Sequence, residues 1–474
     1  MKVFERWSGG KFFSKSFPRP PEATPSMRTI GKYPLLGVLG RGGMGAVFKA
    51  QVPVVGRIVA LKLLRPSELT LGLWGRERVV RAFREEAARL GGLRHENVVG
   101  VFDYGEIGDW PYFVMDFYGE SLGSIIGETY RVEARSRRLP VPRAAGYAAQ
   151  LLAGLARLHH AGIVHRDVKP FNLLVTDRDV VKITDLGLSK ARGERFDGPT
   201  NLKVGSPYYA APEQEDDPDA ADARADLFAA GVTFFRMLTG RLPEPGTDAV
   251  DDPAVAAGEV FDGFFAKALA VSPKARFASA REMAEALAAC RREWERRLAG
   301  VCAGLGEALA APHTPPGAAH PRRAPVRVGL HQARAAFGLD ALWRPAAYWP
   351  ARLADEGGET LCDPATGLCW LREATPYAVT WQEARAYVEA LNAASHGGHA
   401  DWRLPTVAEL VTLLRPEPTG EGYCQPASLT QPVRRVWSAD TANYASAYTA
   451  DVELGYVTRA DFCCPVAARA VRAA

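Results

Sequence analysis

The sequence predicts an α+β protein of two domains, the first divided into a small sheet-rich lobe and a larger helical lobe. Short β-branched runs such as AVFKA and RIVALKLL come first, and runs with helical periodicity such as AAGYAAQLLAGLARLHH follow. A Pro-rich stretch, APHTPPGAAHPRRAPVR, then interrupts the periodicity, and six of the ten Trp residues come after it. We therefore expect a flexible arm at 1–29, a two-lobed domain at 30–297, a Pro/Ala-rich linker at 298–337 and a compact α+β domain at 338–474.

The composition of the 474-residue chain is that of an ordinary soluble protein. Hydrophobic residues make up 47% and charged residues 24%, and the net charge is only +4, with Arg interleaved among Asp and Glu. This mild balance argues against nucleic acid as the main partner. The longest apolar run, at 227–235, is far shorter than the roughly 18 to 20 residues of a membrane span, so no span is expected.

The cysteines and the N-terminal residues bear on location. Seven Cys residues without a CxxC pair favour reduced thiols and a cytoplasmic location over a zinc ribbon or a disulfide framework, although Cys362 and Cys369 could meet across a hairpin. The first residues mix Lys and Arg with aromatics but lack a secretory h-region. We interpret them as an arm rather than a membrane-surface anchor.

The first candidate site is the Gly-rich segment LGRGGMGAVFKA, in which Gly40, Gly42 and Gly45 precede Val47. This pattern is weak alone, because Gly-rich turns are common. A dinucleotide fold would place a helix after the glycines, whereas strand-like residues lie on both sides here, as in a hairpin over ATP phosphates. The next strand supplies Lys62, whose ammonium can pair with phosphates if a carboxylate holds it in place.

A helix in the following segment, RAFREEAARLGGL, offers that carboxylate. Phe83 and Leu90 mark its buried side, and Glu86 lies three residues after the first and four before the second. Glu86 therefore faces inward better than Glu85. We predict that Glu86 pairs with Lys62.

The segment IVHRDVKPFNLLV carries the residues that suit phosphoryl transfer. Asp167 can accept or orient the proton of a substrate hydroxyl, Lys169 can neutralise the transferring group, and Asn172 can hold Mg²⁺. Downstream, Asp185 in KITDLGLSK follows a β-branched run, where a second metal-binding carboxylate is needed. Two such oxygen ligands plus the phosphates of ATP suit the octahedral shell of Mg²⁺.

Taken in order, these motifs resemble those of the bacterial Hanks-type Ser/Thr protein kinases over about residues 33–287. DLG replaces the usual D-F-G, a mild change because Leu186 stands at a position that packs and does not ligate. GSPYYAAPE resembles G-T-P-x-Y-x-A-P-E, and the resemblance implies a buried, architectural ion pair of Glu213 with Arg276 and a further anchor at Asp226.

The resemblance implies a bilobal protein kinase fold, ATP and Mg²⁺ as cofactors, and protein Ser or Thr hydroxyls as substrates. DVKPFN resembles the Ser/Thr form of the catalytic loop. Met115 would gate the back of the adenine pocket, and the backbone from Asp116 to Tyr118 would be the hinge that pairs with adenine. The expected ATP-binding residues are Leu39, Gly40, Gly42, Gly45, Val47, Ala60, Lys62, Glu86, Met115, Asp116 and Tyr118.

Regulation is predicted from Arg166, which precedes the catalytic Asp and suggests an activation segment ordered by a phosphate. Thr200 is the only hydroxyl residue between Lys190 and Gly205, so we take it as the phosphorylation site. The rival interpretation of this domain is a pseudokinase scaffold. Such proteins commonly lose the phosphate Lys, the catalytic Asp or the metal Asp, and all three are present here.

The tail resembles, in order, the bacterial Lcl C-terminal domain, which has a C-type lectin-like fold, over about residues 360–472. DWRLPT is its most specific piece: Trp402 and Leu404 can pin a loop, Pro405 ends it, and Thr406 with Glu409 forms a capping box. All of these features are explained by folding. The tail contains no motif that pairs a nucleophilic residue with a general base, so we expect a module that binds a ligand or protein.

Four interpretations remain open for this module. The Tyr-, Asn- and Ser-rich segment after VWSAD resembles an adaptable recognition surface, or it consists of exposed strand and turn residues. It can also be a region diversified by a retroelement, or a tail that only stabilises the kinase. The prediction for the whole chain is a signalling enzyme: a Ser/Thr kinase joined to a sensing or targeting module.

Overall fold

The computed structural model describes residues 29–42, 44–129, 132–186, 190–191, 208–216, 221–244, 258–302, 320–349, 353–355, 358–416, 423–429 and 433–474. The predicted phosphorylation site Thr200, the arm before residue 29 and the middle of the predicted linker lie outside these residues. Among the described helices, none has the length and hydropathy needed to cross a membrane.

The N-terminal lobe is a six-stranded antiparallel sheet with spatial order β1-β2-β3-β4-β6-β5. Its strands are β1 (Thr29–Ile30), β2 (Tyr33–Gly42), β3 (Gly45–Gln51), β4 (Ile58–Leu64), β5 (Val101–Ile107) and β6 (Trp110–Asp116). Alternating β-branched and aromatic residues give the sheet two apolar faces. Leu61 and Val114 pack on one face, whereas Phe113 on the other face belongs to the main core.

Two helices, α1 (Glu68–Trp74) and α2 (Arg76–Gly92), follow β4. The side chain of Ser67 caps α1 by accepting the backbone N–H of Thr70 at 3.1 Å. In α2 the buried residues recur every three or four positions, which turns one face to the sheet. Phe83 on that face lies 4.9 Å from Phe113, measured between ring centroids.

The second lobe is mainly helical. Its elements are β7 (Glu120–Ser121), α3 (Leu122–Ile126), α4 (Val141–His160), β8 (Ile163–Val164), β9 (Leu173–Val175), β10 (Val181–Ile183), β11 (Lys190–Ala191), α5 (Pro212–Asp216), α6 (Ala223–Thr239), α7 (Asp262–Ala268) and α8 (Ala280–Cys302). Short 3₁₀ helices occur at Pro170–Asn172, Gly258–Phe261 and Pro273–Ala275. Helix α6 is buried along most of its length and packs through edge-to-face Phe pairs, such as Phe234 with Phe264, at a centroid distance of 5.8 Å.

In its described residues, the C-terminal unit contains two small antiparallel sheets, β12-β13-β14-β18 and β15-β16-β17, and three helices. Its elements are α9 (Leu330–Phe337), β12 (Ala354–Asp355), β13 (Thr360–Asp363), β14 (Leu368–Leu371), α10 (Trp381–Ala393), α11 (Val407–Leu413), β15 (Arg435–Thr441), β16 (Ser446–Asp451), β17 (Tyr456–Asp461) and β18 (Val471–Ala473). A 3₁₀ turn at His396–Gly398 leads to the DWRLPT segment. There the predicted capping box is present: Thr406 caps α11 with Glu409 as its partner, and Trp402 and Leu404 are buried.

Parts of the predicted linker at 298–337 are structured. Helix α8 continues to Cys302, because AGVC extends its helical pattern. Residues 320–337 pack with the C-terminal unit, where Ala333 and Phe337 enter its core and Tyr448 donates to the backbone oxygen of Val328 at 2.7 Å.

The thiols differ from the expectation of reduced cysteines. Cys362 and Cys369 form a disulfide, because the register of β13 with β14 places them directly opposite each other. This is the hairpin pairing that the sequence left open. Cys290, Cys463 and Cys464 are free thiols, and the thiol of Cys424 donates to the backbone oxygen of Glu453 at 3.4 Å.

A buried ion pair ties α5 to the segment before α8. Both terminal nitrogens of Arg276 reach Glu213, at 2.6 and 2.7 Å, and the Arg276 side chain is fully buried. This pair was predicted, and its bidentate geometry is the strong form of a charged hydrogen bond.

Replacing Arg276 by Met should lower the free energy of unfolding by about 3 kcal/mol or more, because it leaves the Glu213 carboxylate unpaired in a largely buried site. Urea unfolding measures the loss. The double variant Glu213→Gln with Arg276→Met should recover part of it, and Arg281→Met, at a highly exposed position on α8, serves as the matched control. Equal stability of the Arg276→Met and Arg281→Met variants would contradict the assignment.

Candidate active site

A cavity of about 460 Å³ lies between the two lobes. The Gly-rich hairpin of β2 and β3 forms its roof, α2 forms its back, and the catalytic segment forms its floor. Its lining includes Gly40, Gly45, Val47, Lys62, Glu86, Asp167 and Asp185. Seven of the sequence-predicted residues therefore meet in one place.

The roof depends on a close approach at Gly45. A Cβ at this residue would lie 2.1 Å from the backbone oxygen of Leu63, so a side chain cannot be accommodated without moving β4. Gly42 pairs with Gly45 and Gly40 with Val47 in the register of β2 and β3. Leu39 lies beside them and is 45% exposed, which leaves its side chain available to a ligand.

The predicted adenine-side residues lie on adjacent strands. Ala60 of β4 is directly opposite Met115 of β6, and both are buried. Asp116 ends β6 and pairs with Arg57, while Tyr118 donates to Asp116 at 3.4 Å. Burial raises the pKa of Tyr118 to about 12. These four residues are not among those that line the cavity, so their predicted contact with adenine stays a prediction.

Lys62 is shared by two carboxylates. Its Nζ lies 2.7 Å from Glu86 Oε1 on α2 and 2.9 Å from Asp185 Oδ1 in the second lobe. Burial alone would lower the pKa of Lys62, but the two carboxylates outweigh it and raise that pKa. The ammonium of Lys62 lowers the pKa of Asp185, whereas burial raises the pKa of Glu86 more than Lys62 lowers it. The predicted Lys62–Glu86 ion pair is therefore present, with Asp185 as a second partner.

The catalytic segment concentrates its polar groups on Asp167. Lys169 Nζ lies 2.7 Å from Asp167 Oδ2, and Asn172 Nδ2 donates to the same oxygen at 2.9 Å and to the backbone oxygen of Asp167 at 2.8 Å. The 3₁₀ turn Pro170–Asn172 brings Asn172 back toward Asp167. The three predicted catalytic residues thus form one hydrogen-bonded cluster.

A buried carboxylate, that of Asp226 at the start of α6, holds this segment from below. It accepts the backbone N–H of His165 at 2.8 Å and of Arg166 at 2.7 Å, and His159 Nε2 lies 2.8 Å away. Burial by itself raises the pKa of Asp226, but its hydrogen bonds and the nearby His residues outweigh burial and lower that pKa. The backbone of Arg166 has a φ of +69°, an uncommon value for a residue with a side chain, which the paired acceptor oxygens help to maintain.

Two further contacts join the catalytic segment to its neighbours. His165 Nε2 lies 3.0 Å from the backbone oxygen of Thr184, next to Asp185, and Gln214 donates to the backbone oxygen of Arg166 at 3.0 Å. Leu186 is buried, in agreement with a packing role. Thr200, the predicted partner of Arg166, lies outside the described residues.

The oxygen donors of Asn172 and Asp185 fit a magnesium ion. Strands β9 and β10 pair Leu173 with Ile183, and the N–H of Thr184 donates to the backbone oxygen of Asn172 at 3.0 Å, so the two ligand candidates lie at the same end of this strand pair. The amide nitrogen of Asn172 is engaged by Asp167, which leaves its amide oxygen as the ligating atom. Hard oxygen donors are what Mg²⁺ prefers.

Comparison with known proteins identifies the class. The protein kinase domain model matches residues 33–282, more than half of the chain. The chain therefore belongs to the protein kinase family, and this part of it is a protein serine/threonine kinase domain. The model of the Lcl C-terminal domain matches residues 359–472.

The relatives are bacterial. The serine/threonine-protein kinase PksC of Streptomyces coelicolor is 36% identical over 53% of this chain and 48% of that protein. PrkC of Bacillus subtilis is 34% identical over 47% of this chain and 33% of that protein. The crystal structure of the Mycobacterium tuberculosis PknI kinase domain is 26% identical, with a TM-score of 0.43, over 56% of this chain and 99% of that domain. The chain thus spans about half or less of the length of these curated relatives.

Sequence reasoning missed several residues of the site. Met44, Val79 and Ala82 line the cavity, but as ordinary apolar residues they carry no motif. The position of Asp185 beside Lys62 was also not foreseen, because it depends on how far the lobes close. The contacts of His159 and Gln214 could have been found only from the fold.

The substitution Asp226→Asn should destabilise the protein at neutral pH, by about 1 to 3 kcal/mol, because an amide cannot accept both backbone N–H groups. Since the pKa of Asp226 is lower in the folded than in the unfolded state (about 3.9 when unperturbed), its stabilisation is present above about pH 4 and is lost as the pH falls through the folded-state pKa. We expect urea unfolding between about pH 7 and about pH 3 to show that the difference in free energy of unfolding between the variant and wild type narrows only at the acidic end. A difference in free energy of unfolding that does not change with pH would refute the role assigned to Asp226. Asp109→Asn, at an exposed carboxylate, is the control.

Proposed function

We propose that this chain transfers the γ-phosphoryl group of Mg-ATP to Ser or Thr hydroxyls of proteins. The observation that carries the proposal is the cluster of Asp167, Lys169 and Asn172 across the cavity from Lys62, whose ammonium is held by Glu86 and Asp185. Phosphoryl transfer depends mainly on positioning and charge stabilisation, and this arrangement supplies both.

Each residue has a distinct task in the proposed reaction. Lys62 would bind the phosphates, and the Gly-rich hairpin would cover them. Asn172 and Asp185 would hold Mg²⁺, which neutralises developing charge when bound. Asp167 would orient the substrate hydroxyl and accept its proton, and Lys169, already 2.7 Å from Asp167, would stabilise the transferring group.

The competing function is a pseudokinase scaffold that displays the C-terminal unit. The ion pair between Lys62 and Glu86 is formed, and Asp167 and Asp185 both face the cavity, so the charged set for catalysis is complete. This supports the enzyme over the scaffold. Transfer of labelled phosphate separates the two.

For the C-terminal unit we propose a C-type lectin-like module that binds a ligand or a protein. The match to the Lcl C-terminal domain supports this proposal, as do the capped helices α10 and α11 beside two small sheets. Diversification by a retroelement is a second proposal for the same region. A near-duplicate of the 3′ end of the gene nearby is the observation that tests it.

The variant Asp167→Asn should lose phosphoryl transfer by about 100-fold or more, because the amide cannot take the substrate proton. Autophosphorylation with labelled ATP and Mg²⁺ measures this. Asp177→Asn, an exposed carboxylate of the same lobe, should behave as wild type. If the wild-type protein binds ATP but takes up no label, the proposal of an active enzyme is wrong and the pseudokinase scaffold is the better interpretation.

Thr200 should carry phosphate in an active preparation, since a phosphate there would add about −1.5 to −2 charges beside Arg166. Mass spectrometry locates the phosphate, and Thr200→Ala should reduce the rate of substrate phosphorylation. An active preparation in which Thr200 is unmodified would exclude this mechanism.

A further inference from the structure

The C-terminal unit contacts the kinase domain on both sides of the segment 116–121 that joins the lobes. In the N-terminal lobe, Lys49 Nζ of β3 lies 2.5 Å from Asp461 Oδ1. In the second lobe, Arg137 packs its guanidinium 3.8 Å from the ring centroid of Tyr456 and donates to the backbone oxygen of Leu342 at 2.9 Å. The contact is therefore not confined to one lobe.

These contacts are buried like a domain core. Tyr456 is fully buried and, with Leu454, belongs to the apolar cluster that forms the core of the kinase domain. Within the joining segment, a Cβ on Gly119 would lie 2.2 Å from Cys464 Sγ, so the two surfaces fit closely there. Lys49 is only 8% exposed. Separating the units would expose this apolar surface and leave buried charges without partners.

Charges on the two surfaces are complementary. Arg435 lies 2.6 Å from Glu120, which lies within the joining segment. Further into the second lobe, Arg143 lies 2.7 Å from Glu453, and Asp179 accepts from Arg434. Burial alone would raise the pKa of Asp179, but Arg143 and Arg434 outweigh it and lower that pKa. Cations and carboxylates thus come from both sides of the interface.

Strand β17 connects the two lobe contacts. Its first residue, Tyr456, packs on Arg137, and its last residue, Asp461, pairs with Lys49. The six-residue strand therefore spans about 17 Å at the usual rise per residue. Every residue of β17 is paired with β16, which is itself buried along its whole length. A strand supported in this way holds its ends at a fixed separation.

Both ends of β17 are attached to rigid parts of the kinase domain. Arg137 is fixed by donating to the backbone oxygens of Ile125 and Ser124, at 3.0 and 2.7 Å. Lys49 lies on β3 two residues after Val47, which lines the cavity. A change in the angle between the lobes would have to break the contact at one end of the strand.

We propose that β17 is an interlobe strut: the C-terminal unit binds its own kinase domain beside the hinge and holds the lobes at the angle at which Lys62 pairs with Asp185. The proposal rests on the proposed function, since it makes ATP binding depend on the C-terminal unit. A ligand of that unit that withdraws Asp461 from Lys49 would weaken ATP binding without entering the cavity, whose described lining belongs to the kinase domain.

The test uses the full chain and the single change Asp461→Asn, which removes the charge but keeps the side-chain oxygen that accepts the N–H of Cys463. We expect the dissociation constant for Mg-ATP, measured by calorimetry, to rise about five-fold or more, within the usual range of coupling between sites. Hydrogen exchange should become faster in β3 and in 116–121. Glu389→Gln, the same chemical change at an exposed position on α10, should alter neither.

A charge exchange keeps the test independent of folding defects. Lys49→Asp alone should weaken ATP binding, and combining it with Asp461→Lys should restore binding and slow exchange. If the Asp461→Asn variant binds ATP as wild type does and hydrogen exchange in the joining segment is unchanged, the proposal that β17 is an interlobe strut is wrong. The proposed transferase function fails separately, when wild type binds ATP but transfers no phosphate, because neither binding nor hydrogen exchange requires turnover.

Discussion

The ammonium of Lys62 is the point on which the architecture of the active site depends. It joins three elements that are far apart in sequence: strand β4 carries it, α2 supplies Glu86, and the second lobe supplies Asp185. Lys62 and Glu86 lie in the same lobe, but the pairing of Lys62 with Asp185 is lost if the lobes separate by a few ångströms. The structure must therefore control the angle between two lobes that share one joining segment, and much of the remaining packing can be understood as serving that control.

On the side of the second lobe, control comes from buried anchors. Asp226 holds the backbone of His165 and Arg166, and His165 in turn contacts the oxygen of Thr184 next to Asp185. The position of Asp185 therefore depends on a chain of contacts that begins at Asp226 on α6 and passes through His165. Because Asp226 is buried and its carboxylate makes several hydrogen bonds, this half of the site is held by contacts within the protein.

Sequence predicted what depends on local spacing. The inward side of α2, and so the choice of Glu86 over Glu85, follows from helical periodicity, and the capping box of Thr406 with Glu409 follows from a four-residue pattern. The pair of Lys49 with Asp461 joins residues 412 positions apart, and neither has a motif. The structured ends of the predicted linker were not predicted either, because the Pro-rich composition gave no sign that apolar residues at 320–337 pack in the C-terminal core. Thr200 and the lectin-like fold stay predictions.

The C-terminal unit supplies the other half of the control. A module joined only through a mobile linker would raise the local concentration of a ligand but could not alter the geometry of the cleft. Here the two ends of one supported strand meet two lobes: Asp461 pairs with Lys49, and Tyr456 packs on Arg137. Suppose that the C-terminal unit exchanges between a state docked on the kinase domain and an undocked state. A ligand shifts such an equilibrium only through contacts that differ between the two states. The ion pair at Asp461 is such a contact: it exists when β17 is docked and is absent when it is not.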